Sequence, residues 1–286
     1  MEKLSNSTSQ PRFWRNSILL STSALICMAL SGSVMADTFV ITSGSDTNGQ
    51  FSASEINAGD TVSLGVALDT GTVDNEGGIE TTGSNTITVS TDGIIKTGGT
   101  GAHGILNKGA TNITIMSGSI TTLNDHSSGI RNEGDENKTT VSGGITASGP
   151  LAIGIGNAGD TNTTSVSGSI TTAGVEGRGI FNIGDTNTTT MSGSITTTGT
   201  NADGFLNSGS RNKITISGTV KATGAMSAAL FNQRGDGNSF TLNEGAIIIG
   251  DILARDHTNN ALDATNSKLI FNLGASTSYA YSVSGK

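Results

Sequence analysis

Between residues 112 and 236 the pattern of apolar and polar positions repeats every 25 residues. Ile105, Ile130, Ile155, Ile180, Phe205 and Leu230 form one apolar column. Met116, Val141, Val166, Met191 and Ile216 form a second, and Ile120, Ile145, Ile170, Ile195 and Val220 a third. Gly118, Gly143, Gly168, Gly193 and Gly218 stand between the last two. Within one unit, such as residues 187–211, apolar side chains alternate with Thr and Ser at spacings of two or four, the period of a pleated strand. Recurrent Gly and β-branched Thr exclude helix and favour short strands broken by turns. The unit at residues 112–136 predicts three strands, near 114–117, 119–122 and 129–132.

One unit holds too few large apolar residues to bury a core by itself. A repeat of this length becomes stable by stacking on its neighbours. The fold class predicted is therefore all-β, a right-handed parallel β-helix of about 25 residues per coil, each coil rising ~4.8 Å, the spacing of paired strands. Identical columns then become ladders along the axis. Asn107, Asn132, Asn157, Asn182, Asn207 and Asn232, two places after the first apolar column, are predicted to form a structural ladder in which each side-chain amide donates to the next. Gly134, Gly159, Gly184 and Gly209 follow this column by two and predict a sharp corner there.

The regular repeat occupies residues 85–237, with a 27-residue step that settles to 25. Residues 37–84 read as atypical capping coils, with strands at Phe39-Val40-Ile41 and Thr61 to Val66. Residues 238–286 read as C-terminal coils richer in apolar and aromatic residues, including both tyrosines, and are expected to be the best-packed end. Residues 1–36 combine Lys3, Arg12 and Arg15 with an apolar run from Ile18 to Leu30 and end Ser33-Val34-Met35-Ala36, the layout of a secretory signal peptide. The run is short for a spanning helix. Ala24-Leu25-Ile26 before Cys27 does not match a lipid-attachment site.

Composition narrows the function classes. Cys27 and Trp14 are the only Cys and Trp, so a chain beginning at Asp37 has neither a thiol nucleophile nor a disulfide. Its net charge is also more negative than the −8 of the full chain, because removing residues 1–36 takes away three basic residues and Glu2. What remains is 12 basic against 22 acidic residues, a net −10. An acidic chain argues against nucleic acid and anionic membrane as partners.

Candidate chemistry is sparse. Asp135, Asp160 and Asp185 recur once per coil and continue as Ser210, which suits turn capping better than a catalytic pair. Stacked carboxylates ~4.8 Å apart could in principle take calcium. His103, His126 and His257 fall in different columns, so no histidine cluster is predicted; no metal, cofactor or catalytic residue is assigned. Asn112, Asn137, Asn162 and Asn187 each open an Asn-x-Thr triplet, formally a glycosylation acceptor. Ser117, Ser142, Ser167, Ser192 and Ser217, with Thr121, Thr146, Thr171 and Thr196, should point outward as a hydroxyl wall, broken at Lys221, which raises ice binding as a minor alternative.

Together, the signal segment, the cysteine-free Gly/Thr/Ser/Asn repeat with its Gly-Ile-x-Asn and Ser-Gly-x-Ile motifs, and the segment GAIIIGDILA to NSKLIFNLGASTSYAYSVSG resemble the passenger region of a bacterial autotransporter. That resemblance implies export, folding at the cell surface or outer membrane, and a non-catalytic adhesive or structural role toward a host surface, matrix or further copies of the chain. The variable stretches 123–128, 148–153, 173–178 and 199–203 are then loops displayed from a fixed rod. The family's translocator barrel has no counterpart here, which leaves a truncated fragment, a periplasmic product or a translocator on a separate chain as alternatives. No membrane insertion by the mature chain is expected. An enzyme acting on polysaccharide is the alternative class, distinguished by converging carboxylates.

Overall fold

The computed structural model describes residues 38–41, 56, 58–254 and 266–272. The segment 1–36, His257, Tyr279 and Tyr281 lie outside the described residues. All regular structure among the described residues is strand, arranged as a parallel β-solenoid with three walls. One coil supplies Ile113–Met116 to the first wall, Ser119–Thr122 to the second and Ser128–Asn132 to the third. The first wall stacks ten strands, from Thr38–Ile41 to Lys268–Asn272. The second runs from Ala67–Asp69 to Ile247–Ile249 and the third from Ile79–Thr81 to Asp251–Ala254, eight strands each.

Register follows the sequence step. Val141 pairs with Met116 below and Val166 above, Ile145 with Ile120 and Ile170, and Ile155 with Ile130 and Ile180. Thr61 pairs with Thr86 at the same 25-residue step, so the ladders extend below residue 85. Longer steps, Thr86 to Ile113 and Ser239 to Lys268, add residues at corners and leave strand pairing intact. The three apolar columns are buried along their length and merge into one continuous core.

Corners explain two features of composition. A Cβ on Gly168 would lie 1.9 Å from the carbonyl oxygen of Gly143, and one on Gly143 1.8 Å from that of Gly118. Coils meet backbone to backbone there, and only glycine fits. The corner after the Asn107 column differs from expectation. Its left-handed residue is the one two places after the glycine, Thr111, Glu136, Thr161, Thr186 and Arg211, all with φ near 60°, and of Gly109, Gly134, Gly159, Gly184 and Gly209 only Gly184 has a positive φ, 133°. The glycines serve close approach, since a Cβ on Gly134 would lie 2.4 Å from Gly109 O. The strained residue turns its N–H toward the following coil: Thr161 donates to Asp185 O at 3.0 Å. That bond recurs from coil to coil and offsets the local cost of a left-handed β-branched residue, about 1–3 kcal/mol.

The described part of the C-terminal end differs from expectation. Ile247, Ile249, Ile270 and Phe271 are exposed, and among the described residues of that region only Phe240, Leu242 and Ala246 are buried hydrophobics. In the run Ile247-Ile248-Ile249 alternation turns one isoleucine inward and two outward. Apolar richness therefore does not translate into better packing among the described residues.

Candidate binding face

Two amide ladders run inside the solenoid. Asn107 donates through Nδ2 to Asn132 Oδ1 at 2.7 Å, Asn132 to Asn157 and Asn157 to Asn182 at 2.8 Å, and Asn207 to Asn232 at 3.1 Å. Asn107, Asn132 and Asn157 also donate to Thr114, Thr139 and Thr164 at 3.1 Å. The structure interrupts the ladder between Asn182 and Asn207: the threonine column continues as Ile214, Asn207 turns its amide to Gly209 O at 3.4 Å, and its Oδ1 is buried without a partner.

The second ladder was masked in sequence by the Asn-x-Thr triplets. Asn112, Asn137, Asn162 and Asn187 are all buried, and each Oδ1 accepts the backbone N–H of the asparagine one coil earlier, starting from Asn85, at 2.7 to 2.9 Å. A buried, hydrogen-bonded side chain cannot serve as a glycan acceptor in the folded protein. The aspartate column caps turns: Asp135 accepts the Asp160 N–H at 2.8 Å and Asp160 that of Asp185 at 2.7 Å, while Asp185 also pairs with Arg211 at 3.1 Å. Among the described residues no group of three or more His, Cys, Asp or Glu is placed to hold a metal ion. Of the expected hydroxyl columns, Thr121, Thr146, Thr171 and Thr196 stand in register on the second wall with Lys221 following, and Ser142 donates to Ser117 at 3.2 Å.

His103 is a structural histidine. Its Nδ1 accepts the Ser128 N–H at 2.9 Å, one coil up, as the 25-residue step places them. Burial pushes its pKa down to about 4, helped by nearby Arg131 and Lys108 and opposed by Glu133. The ring is therefore neutral near pH 7, the state this bond requires.

The outer face of the third wall carries a feature the sequence reading passed over. Leu106, Arg131, Gly156, Phe181, Leu206, Phe231 and Leu253 are in register along it. From Leu106 to Phe231 each precedes an inward asparagine and follows an inward apolar residue, so parity aims it outward. Over the last coils the column becomes a second apolar cluster: Leu206, Ala228 and Phe231 are buried there and Phe181 and Leu253 pack on them. Its signal was present as the doublets Ile180-Phe181, Phe205-Leu206 and Leu230-Phe231.

A cleft of about 400 Å³ opens beside this cluster, between the wall and one edge of the coils. Leu206, Phe231 and Leu253 line its apolar side, and Glu176, Asn201 and Met226 its rim. Those three rim residues are the same turn position in successive coils, each left-handed with φ of 56°, 54° and 58°. This is the variable turn identified in sequence; Met226 is 77% exposed. Arg178 and Asp203 complete the cleft. Asp203 is buried and accepts the Ala228 N–H at 2.8 Å. Arg178 lies with its guanidinium 4.8 Å from the Phe181 ring centre, and its Nε is buried with no hydrogen-bond partner. Burial lowers its pKa from the ordinary arginine value, with Asp203 and Glu176 acting in the opposite direction. Two carboxylates and a guanidinium thus converge in a way that the aspartate column does not. No protein-family model, curated protein or solved structure matches this chain.

Proposed function

We propose that the chain is a non-catalytic, exported surface module of the autotransporter-passenger type, in which a rigid solenoid presents one variable turn per coil against a fixed wall. The observation that carries this reading is the third wall and its border. The backbone repeats there, with a left-handed residue in each turn, while the side chains change from His126 to Leu151, Glu176, Asn201 and Met226. A constant frame with changing tips suits recognition. The solenoid scaffold is supported independently by the pairing of every coil with its neighbours. Export is supported by the signal-like residues 1–36, and no helix among the described residues is long and apolar enough to cross a membrane.

The reading is tested by measuring whether the purified protein binds host cells, extracellular matrix or itself at micromolar concentration. Saturable binding to one of these is expected. Binding undetectable in all three would remove the adhesive role. Turnover of a polysaccharide panel, lost on Glu176→Gln, would replace the module with an enzyme.

A further inference from the structure

We infer that the cleft beside the third wall is a binding site for a carboxylated sugar residue, whose carboxylate is taken by Arg178. The inference deepens the adhesive reading and rests on it for its biological setting. One N–H of Arg178 is left open by the fold. Its guanidinium lies over Phe181 and its Nε is buried with no hydrogen-bond partner, while Asp203 and Glu176 act on it through their charge. Buried donors are nearly always paired, and an N–H of a charged group left open is the more costly. The other arginines whose ion pairs are resolved behave differently: Arg131 pairs with Glu133 at 2.8 Å and Arg211 with Asp185 at 3.1 Å, both at exposed positions.

The ligand group that completes Arg178 best is a carboxylate, because a guanidinium fork matches it in shape and charge. The ligand must also carry few further charges. Glu176 and Asp203 line the same cleft and act on Arg178 by charge, so a polyacidic peptide would meet repulsion there. Hydroxyl groups meet no such cost. They donate to carboxylate and amide oxygens, and Glu176 and Asn201 offer these on the rim. The opposite side of the cleft, with Leu206 and Leu253, receives the C–H face of a ring. One carboxylate, several hydroxyls and one apolar face together describe a uronic-type sugar, and the cleft volume of about 400 Å³ fits a ligand of small-molecule size.

Isothermal titration of the purified full-length protein with glucuronic acid, glucose and acetate tests the inference. Glucuronate should bind about tenfold or more tightly than either control, since one lacks the charge and the other the hydroxyls and ring. Arg178→Gln should lower glucuronate affinity by about tenfold or more, and Arg178→Lys by less, since charge survives and the fork does not. Arg131→Gln, on the same wall outside the cleft, should leave it unchanged. Circular dichroism of each variant verifies the fold. Glucuronate that does not bind, that binds no better than glucose, or that binds Arg178→Gln equally well would overturn the assignment. Acetate binding as tightly as glucuronate would make this a bare carboxylate site, such as for a peptide terminus, and would also overturn it. Surface binding that persists in Arg178→Gln leaves the adhesive reading standing while the cleft fails. Glucuronate binding without any surface binding does the reverse.

Discussion

His103 gives the residue-scale account a pH signature. Its folded pKa of about 4 lies below the unfolded value of 6.5, so the unfolded chain takes up the proton first. The stabilising effect of keeping it neutral is complete above pH 6.5 and is lost as pH falls from there toward 4. Melting of the wild type against His103→Gln, whose amide oxygen can still accept from Ser128, should therefore diverge across that window. Parallel curves would show that the ring is not held neutral in the fold. Gly168 makes a second residue-scale prediction. Gly168→Ala forces a Cβ to within 1.9 Å of the Gly143 carbonyl, and should cost on the order of 3 kcal/mol in denaturant unfolding. Residue identity was legible in sequence where one column had one chemistry throughout, as with Ile130, Ile155 and Ile180. It was not legible for Arg178 and Asp203. They share a column with His103, Ser128, Ile153 and Ala228, and a column of such mixed chemistry gives no signal until the coil stacks them.

At the scale of elements, the strands and their ladders are where the sequence spoke most clearly. The predicted strands near 114–117, 119–122 and 129–132 correspond to Ile113–Met116, Ser119–Thr122 and Ser128–Asn132. The period fixed the register because neighbouring coils offer the same residue types at the same offsets. The turns were less legible: left-handed backbone sits on Glu136 and Thr161, not on the nearby glycines, because the inter-coil hydrogen bond outweighs intrinsic preference. The Asn112 series was ambiguous for a chemical reason, since the same Asn-x-Thr triplet serves a glycan acceptor on a surface loop and a ladder at a buried corner. The ladders yield a direct comparison. Asn157→Ala removes bonds to Asn132, Thr164 and Asn182 inside the solenoid and should cost roughly 2–4 kcal/mol, while Thr171→Ala on the outer face should stay within about 0.5 kcal/mol. Equal midpoints for the two in denaturant titration would deny the amide ladder a structural role.

For the whole molecule, stability is a sum over coils and the contacts between successive coils. Each coil contributes a few large apolar side chains to the common core, and nothing ties distant coils together except the coils between them. The same geometry leaves the C-terminal coil with Ile247, Ile249 and Phe271 exposed among the described residues, which composition alone did not reveal. It also places the apolar stretch of the third wall late in the rod, where the outer column turns from Leu106, Arg131 and Gly156 to Phe181, Leu206 and Phe231. The cleft was the least legible feature, because it is assembled from four successive coils whose contributing residues are far apart in sequence and share no motif.

Hydrogen exchange on Ile180→Asp tests the solenoid account most directly. Ile180 is fully buried between Ile155 and Phe205, and a carboxylate there would cost several kcal/mol by desolvation. Because coupling passes only from coil to coil, amide protection should fall across residues 155–205 while the coils carrying Val62, Ile87 and Ile105 keep theirs. Uniform loss of protection along the chain would mean one cooperative core and would contradict a stack of locally stabilised coils.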